Sequence, residues 1–301
     1  MKIIVTHTSP DWDAIGSVWL IKKYIDGWID AEMKFVPAGE RLPGSKLKVP
    51  SSKWTDIIEK IGEDEVMHVD TGLGPLDHHQ TSDRHVCGMS LTWDYVRQQL
   101  EATGKILTKE HLNAVDRIVK VVVDIDHFGE VFWKDAVADY QEFSLLGVLE
   151  GLKYTRAYDD KYYAEFGFIC LNALLAEFEN KIWAEKEMKV GKQFLTRYGK
   201  AIGFETINDA VLKLAQKQGF VIVVRKDPRK GYVRIKTLPD SSDKKGADLT
   251  LTYEQLKKID PDATWYLHVS GKMLLNGTPK NPKMRPTKLG LDEIIKVLEK
   301  I

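Results

Sequence analysis

The sequence predicts an α/β protein with an N-terminal, mostly parallel sheet carrying helices on both faces, then a helical connector and a smaller α+β domain. In the first 135 residues, strand-like apolar runs alternate with helix-like segments, an order typical of parallel sheets. A long stretch rich in Leu, Ala, Glu and Lys follows, and short strand-like runs return after Gly219. The predicted domains are therefore residues 1–135, 136–218 and 219–301.

The N-terminal elements are predicted in βαβα order. A strand covers Lys2–Thr6, and a helix covers Pro10–Tyr24, where Ser9 can cap the helix and Pro10 suits its first turn. The other predicted elements are strands at Met33–Pro37 and Glu65–Val69, a short helix at Lys53–Ile61, and helices at Ser90–Leu100 and Lys109–Val123.

The rest of the chain is predicted as helices followed by paired strands. The connector contains helices at Glu142–Leu152, Tyr162–Glu179 and Trp183–Tyr198. The C-terminal domain contains one hairpin of Phe220–Arg225 with Tyr232–Lys236, a second of Thr264–Val269 with Lys272–Asn276, an irregular basic loop at 277–288, and a closing helix at Leu289–Lys300.

Composition and charge narrow the class of protein. The chain of 301 residues has no net charge, so the whole molecule has no built-in attraction for nucleic acid or membrane. Residues 219–301 nevertheless carry 17 Lys and Arg against 10 Asp and Glu, which favours a small basic substrate-binding domain. No run of about 18 apolar residues spans a membrane, and the start of the chain lacks the apolar stretch of a signal peptide.

The two cysteines, Cys87 and Cys170, form no CxxC pair, which excludes a zinc ribbon or a thioredoxin-type site. Two cysteines in a chain of this length fit a reducing compartment. We therefore expect a cytoplasmic protein that has no membrane partner. The sequence is compatible with an oligomer.

Histidines and aspartates follow the predicted strands. The first group comes after the first strand, the second after the strand at Glu65–Val69, and the third at the end of a long helix: His7, Asp11 and Asp13; Asp70, Asp77, His78 and His79; Asp124 and Asp126. Because ligands gather beyond the carboxyl ends of the strands in open α/β sheets, we expect these groups to converge at one edge.

Such a cluster requires cations, since neighbouring carboxylates raise each other's pKa. Oxygen and imidazole ligands suit manganese, magnesium or iron better than a structural zinc site. Two metals can activate a water molecule and stabilise the leaving oxygen of a phosphoryl group. The predicted helix start near Ser9–Asp13 adds a dipole end that favours phosphate.

Four strings in this sequence resemble the motifs of the DHH phosphoesterase superfamily. They are HTSPDWDAIGS (7–17), VDTG (69–72), LDHH (76–79) and VVVDIDHFG (121–129). HVCGMSLTWDYV (85–96) and WYLHVSGKMLLNGT (265–278) are similar to the superfamily's exonuclease group named after a melanocyte-proliferating gene, while the first motif is closer to the RecJ-like form.

The resemblance implies a centre of two manganese ions. By position, His7 and Asp11 hold one ion, Asp13 and His78 hold the other, and Asp70 bridges both. Asp124 completes the set, with Asp126 as the rival for that place. His79 faces the substrate phosphate or a metal-bound water, and joins Asp13 and His78 as the implied catalytic residues. In place of the superfamily's GGGH-type motif stands a string that by analogy contacts substrate: His268, Ser270, Gly271 and Lys272.

The function expected from these features is a manganese-dependent phosphodiesterase or exonuclease, with magnesium possible. Its substrate is a nucleotide or a short single strand of RNA or DNA. One alternative is an inorganic pyrophosphatase or another small-phosphoester hydrolase. A second alternative is a non-catalytic nucleotide-binding regulator, which predicts metal binding without hydrolysis.

Overall fold

The structure is a computed structural model that describes residues 1–241, 245–278, 281 and 283–300. The chain divides into two compact units, Met1–Phe178 and Glu179–Ile301, called unit 1 and unit 2 below. Unit 1 carries a four-stranded, mostly parallel sheet, and unit 2 carries a six-stranded mixed sheet. The predicted fold class is confirmed: an N-terminal parallel sheet with helices, a helical middle and a C-terminal α+β part.

The sheet of unit 1 brings two strand ends to one edge. Its strands are β1 (Lys2–His7), β2 (Glu32–Val36), β3 (Ile58–Ile61) and β4 (Asp64–His68), in the order β2-β1-β4-β3. β1 runs parallel to both of its neighbours, and its apolar residues are buried, as expected of a central parallel strand. The carboxyl ends of β1 and β4 therefore lie side by side, which places His7 near the loop that contains Asp70.

The short helix predicted at Lys53–Ile61 is wrong. The chain makes one 3-10 turn at Trp54–Asp56 and then forms β3, which pairs antiparallel with β4. Gly62 has a φ of 61° in the tight turn between the two strands. Glycine adopts this left-handed conformation at no steric cost, so a hairpin forms where the composition favoured a helix.

The helices predicted in the first 135 residues, apart from that segment, are confirmed. The helices of unit 1 are α1 (Trp12–Tyr24), α2 (Gly88–Ala102), α3 (Lys109–Asp126), α4 (Asp139–Glu142), α5 (Leu145–Thr155) and the first part of α6 (Asp160–Val190). α1 begins two residues later than predicted because Asp11, rather than Ser9, caps it: Asp11 Oδ1 accepts from the backbone N–H groups of Asp13 (2.9 Å) and Ala14 (3.0 Å).

Unit 2 is a sheet covered by helices on both faces. Its further elements are β5 (Lys192–Thr196), β6 (Gly199–Glu205), α7 (Ala210–Lys217), β7 (Ile222–Lys226), β8 (Val233–Thr237), α8 (Thr250–Ile259), β9 (Trp265–Leu267), β10 (Met273–Asn276) and α9 (Leu291–Glu299). The strand order is β5-β6-β7-β8-β10-β9. Alternate residues of β7 pack on opposite sides, Ile222 and Val224 with α8 and α9, and Val223 with α7.

The helix predicted at Trp183–Tyr198 is correct only as far as Val190. From Lys192 the chain forms the β5–β6 hairpin. Lys, Gln and Leu are good helix formers, which explains the error. An ideal Cβ at Gly191 would lie 2.4 Å from Phe204 and 2.7 Å from Ile202. Close packing of β6 therefore needs a glycine where the helix ends.

Both predicted hairpins of the C-terminal part are confirmed, β7 with β8 and β9 with β10. α9 confirms the closing helix, while α8 was not predicted. Of the predicted basic loop 277–288, residues 279, 280 and 282 lie outside the described residues. Among the helices that the structure describes, none combines the length and apolar composition needed to cross a membrane.

Candidate metal centre

Imidazole and carboxylate groups converge at the carboxyl edge of the sheet of unit 1. His7 ends β1, Asp13 lies in the first turn of α1, and Asp126 ends α3. Asp70 and His78 lie in the loop that follows β4. The expected convergence at one edge is therefore seen for these five residues.

His7 is oriented by its own backbone. Its Nδ1 contacts the Thr8 carbonyl oxygen at 2.9 Å, so Nδ1 carries the proton and donates. Nε2 then presents its lone pair 3.3 Å from Asp70 Oδ2 and 3.9 Å from Asp11 Oδ1. Histidines that bind metals are commonly held by such a hydrogen bond to the other ring nitrogen.

His78 lies at the centre of three carboxylates. Its Nε2 is 3.4 Å from Asp126 Oδ2, 3.6 Å from Asp70 Oδ1 and 3.7 Å from Asp13 Oδ2. Within the described residues, no hydrogen bond reaches His78 Nε2, Asp70 Oδ1 or Asp126 Oδ2, although all three atoms are buried. Buried polar atoms without a partner are costly, at about 1–3 kcal/mol each. These three atoms lie close together, so a single cation could interact with all of them.

The electrostatics of the cluster also call for a cation. Burial raises the pKa of Asp13 and Asp70 well above the usual value, and neighbouring carboxylates raise both further. Burial likewise raises the pKa of Asp126 and lowers that of His78. A divalent metal with oxygen and imidazole ligands relieves both the repulsion and the missing hydrogen bonds, so these residues fit such an ion.

Three overlapping groups of side chains present ligand atoms within 4.8 Å of one another: His7 with Asp11 and Asp70, Asp70 with His78 and His79, and His78 with Asp126 and His127. Asp70 belongs to two of these groups, as a bridging ligand does. It also has a left-handed φ of 49°. Backbone strain of this kind costs about 1–3 kcal/mol and gathers at functional sites.

Asp13 has a second task that sequence reasoning missed. The backbone N–H of Gly88 donates to Asp13 Oδ2, and that of Met89 donates to Oδ1, both at 2.6 Å. Asp13 thus fixes the start of α2 to the site. A Cβ at Gly88 would lie 2.7 Å from Asp70 Cβ. Gly88 is therefore part of the site, and its only signal in the sequence is a glycine within HVCGMS.

Asp11 contributes less to the cluster than its motif suggests. It caps α1, and its side chain is half exposed. The amides of Asp13 and Ala14 already donate to Asp11, so these two donors are not free for the phosphate expected at this helix start. Its distance to His7 still leaves Asp11 available as a ligand.

Asp77 holds His79 at the rim of the cluster. Asp77 Oδ1 is 2.7 Å from His79 Nδ1 and accepts from the His79 backbone N–H at 3.0 Å, while Oδ2 accepts from the Leu73 backbone N–H at 2.7 Å. Burial alone raises the pKa of Asp77, but these hydrogen bonds outweigh it and the pKa lies below the usual value. The hydrogen bond to Asp77 in turn raises the pKa of His79, whose ring is more than half exposed. The hydrogen bond to Asp77 therefore favours the charged form of a His79 ring that faces solvent.

The two aspartates at the end of α3 separate in the structure. Asp124 Oδ2 accepts from the indole N–H of Trp133 at 2.6 Å, and Asp124 belongs to none of the three ligand groups found among the described residues. Asp126 faces His78 instead. His127, which sequence reasoning did not assign, joins the rim, where its Nε2 is 3.0 Å from the Val86 carbonyl oxygen.

The residues predicted to bind substrate in unit 2 lie in the turn between β9 and β10. His268 Nδ1 is 2.8 Å from Ser270 Oγ, and Gly271 has a φ of 67°. The Lys272 ammonium group donates to the Gly246 carbonyl oxygen at 2.7 Å and pairs with Asp240 at 2.9 Å. These contacts stabilise the turn itself, and substrate binding by it stays a prediction.

No family model and no curated protein matches this chain. Solved structures similar to it include an uncharacterized protein from Helicobacter pylori G27, with 11% identity, a TM-score of 0.25 and coverage of 100% of this chain and 99% of that one. RecJ from Thermus thermophilus, in complex with Mg²⁺, has 11% identity and a TM-score of 0.29 over 99% of this chain and 49% of RecJ.

A pGpG-specific phosphodiesterase from Vibrio cholerae has 12% identity and a TM-score of 0.28, over 99% of this chain and 97% of that one. At TM-scores this low the likeness carries no functional weight. The chemistry of the site depends on its own residues.

Proposed function

We propose that this chain is a divalent-metal-dependent phosphoesterase of the DHH type. It hydrolyses phosphodiester bonds of a nucleotide or a short single strand of nucleic acid. The observation that carries the proposal is the set of three buried, unpartnered atoms, Asp70 Oδ1, His78 Nε2 and Asp126 Oδ2, at the edge where the motifs of that superfamily converge.

The ligand groups support two ions that share Asp70. His7, Asp11 and Asp70 would hold one, and Asp70 with His78 and Asp126 the other. Asp13 is within 3.7 Å of His78 and adds charge to the second position. When bound, such ions lower the pKa of water and neutralise charge on a phosphoryl group. Manganese and magnesium both suit these ligands.

The chain's own residues then bind and orient the substrate. His79 is held by Asp77 with its remaining nitrogen free to donate, and its raised pKa favours the charged form. In this proposal His79 donates a hydrogen bond to a phosphate oxygen and supplies a proton to the leaving oxygen. Asp77 acts as a positioning residue because it touches His79 and the loop rather than solvent.

The function can be tested with the purified chain in Mn²⁺, in Mg²⁺ and with a chelator. The substrates are short RNA, short DNA, a cyclic dinucleotide and pyrophosphate. We expect metal-dependent release of mononucleotides, loss of this activity in His78→Ala, and no change in His85→Ala, a matched variant of an exposed histidine in the same loop region. If pyrophosphate is the only substrate hydrolysed, the protein is a pyrophosphatase rather than a diesterase. Tight Mn²⁺ binding without any hydrolysis would favour a regulator.

A further inference from the structure

A cavity of about 660 Å³ opens beside the candidate metal centre within unit 1. Asp11, Asp13 and Asp126 form one part of its wall. The remainder comes largely from residues 128–154, most of which lie beyond the last motif string of the N-terminal part. Its volume lies in the range of small-molecule sites, about 300–1,000 Å³.

Aromatic rings also line the cavity. Phe128 and Tyr154 both line the cavity although 72% and 85% of their surfaces are exposed. Phe128 also has a left-handed φ of 59°, which is unusual for a bulky residue. Trp133 lines the same cavity, and its hydrogen bond to Asp124 fixes the ring. These rings offer faces that fold stability does not require.

The charge of the wall restricts what the cavity accepts. Of the described residues that line it, none is a lysine, arginine or histidine, whereas Glu130, Glu142 and Glu150 are acidic. Lys153 pairs with Glu150 at 3.0 Å, but Glu130 Oε2 is buried and has no hydrogen-bond partner among the residues that the structure describes. A phosphate held away from the metals would be repelled here. A neutral ring that donates N–H groups would match the acceptors and the aromatic faces.

We propose that this cavity binds the nucleobase next to the phosphate that is cleaved, an inference that rests on the proposed function. The base stacks against Phe128 and Tyr154 and turns its N–H donors toward Glu130 or Glu142. The substrate class is then a short oligonucleotide recognised through one base, rather than a phosphoester in general. Guanine, adenine and cytosine, which carry exocyclic amino groups, are accepted better than uracil.

Binding tests the inference independently of catalysis. The full chain with Mn²⁺ is titrated calorimetrically with GMP, UMP and ribose 5-phosphate. Because base–aromatic stacking contributes about 1–3 kcal/mol per base, GMP should bind about ten-fold or more tightly than ribose 5-phosphate, and Phe128→Ala should remove most of that gain. Phe132→Ala is the matched control, since Phe132 is 87% exposed and does not line the cavity. Equal affinity for GMP and ribose 5-phosphate, or equal effects of both variants, would overturn the base site.

The Glu130→Gln variant tests whether the acidic wall of the cavity accepts hydrogen bonds from the base. This change replaces an acceptor oxygen with a donor, so we expect GMP binding to weaken while UMP binding changes less. Tighter binding of putrescine than of GMP would instead identify a site for organic cations and overturn the inference.

Catalysis separates the two proposals. In Phe128→Ala the KM for a dinucleotide should rise about ten-fold, whereas the KM for the matching dinucleotide with an abasic sugar in place of that base should change much less. Base-dependent binding without hydrolysis of any phosphoester would defeat the proposed function but leave the base site. Hydrolysis of both diesters with no effect of Phe128→Ala would defeat the base site but leave the function.

Discussion

The buried carboxylates of unit 1 and unit 2 are in opposite situations. Asp260 in unit 2 accepts from the Thr287 hydroxyl at 2.6 Å and from the Lys288 backbone N–H at 3.0 Å, and the Thr287 bond is the main reason that its pKa is lowered. Asp70 in unit 1 is also buried, but burial and neighbouring aspartates raise its pKa, and one of its oxygens has no hydrogen-bond partner.

The difference separates carboxylates that stabilise a fold from those kept for a ligand. Asp260 connects the end of α8 to the segment before α9, so its charge is satisfied within the chain. If the proposed function is correct, Asp70 and its neighbours gain stability when a cation binds. A chain that folds with such a cluster has a lower free energy of unfolding, and the benefit of the cluster is ligand binding.

The largest effect is expected for Asp70→Asn on catalysis. Asparagine tolerates the left-handed backbone at this position, so the fold should survive. Since loss of a supporting group around a metal costs about 10–100-fold, loss of a ligand should lower kcat/KM by more than about 100-fold. Steady-state rates in Mn²⁺ provide the measurement, and a loss below about ten-fold would show that Asp70 is not a ligand.

The end of α3 offers a second contrast. Asp126→Asn should lower kcat/KM by at least about ten-fold, because its carboxylate faces His78, whereas Asp124→Asn should have a smaller effect. The two variants alter the same helix end, so each serves as the control for the other. A larger loss of kcat/KM in Asp124→Asn than in Asp126→Asn would mean that Asp124 is the ligand, as the motif first suggested.

Gly88→Ala tests the close approach of α2 to the site. The added Cβ would meet Asp70 Cβ at 2.7 Å and Asp13 Oδ2 at 3.0 Å, so we expect the free energy of unfolding to fall by about 1–3 kcal/mol. Urea unfolding measures this. The matched control is Gly151→Ala in α5, where a Cβ meets nothing within 4 Å and should stabilise the helix by about 0.5–1 kcal/mol. Equal effects of the two changes would mean that the loop at Asp70 adjusts freely.

The smallest effects concern pH, and they have opposite signs in the two units. The raised pKa of Asp70 means that the metal-free fold is more stable below the usual value of 3.8 and loses that stability as pH rises toward the folded pKa. The lowered pKa of Asp260 gives stability above 3.8 that is lost as pH falls further.

Asp70→Asn should therefore stabilise the metal-free protein near neutral pH, while Asp260→Asn should destabilise it by about 1 kcal/mol. Thermal unfolding from about pH 3 to 7 with a chelator measures both. Destabilisation of similar size in both variants would remove the distinction between the two kinds of carboxylate.

Much of the fold and site was predictable because it depends on local patterns. β1 and β4 are recognisable as apolar runs, and His7, Asp70 and His78 follow them. This pattern is enough to predict that the three residues lie at the same edge of the sheet. The convergence of these three residues follows from the parallel pairing of β1 and β4.

Other features depend on tertiary contacts that a pattern does not contain. The choice between Asp124 and Asp126 requires knowing which face of α3 meets His78. The role of Gly88 depends on how closely α2 approaches the loop at Asp70. Much of the cavity wall comes from residues 130–154, which carry no motif, so the proximity of that segment to the carboxylates was visible only in the folded chain.

The most direct test is a calorimetric titration of the metal-free protein with Mn²⁺. We predict that the unchanged chain binds two ions, that His78→Ala loses at least one, and that His85→Ala binds as the unchanged chain does. Equal stoichiometry and affinity in His78→Ala would contradict the claim that the unpartnered atoms around His78 are kept for a metal.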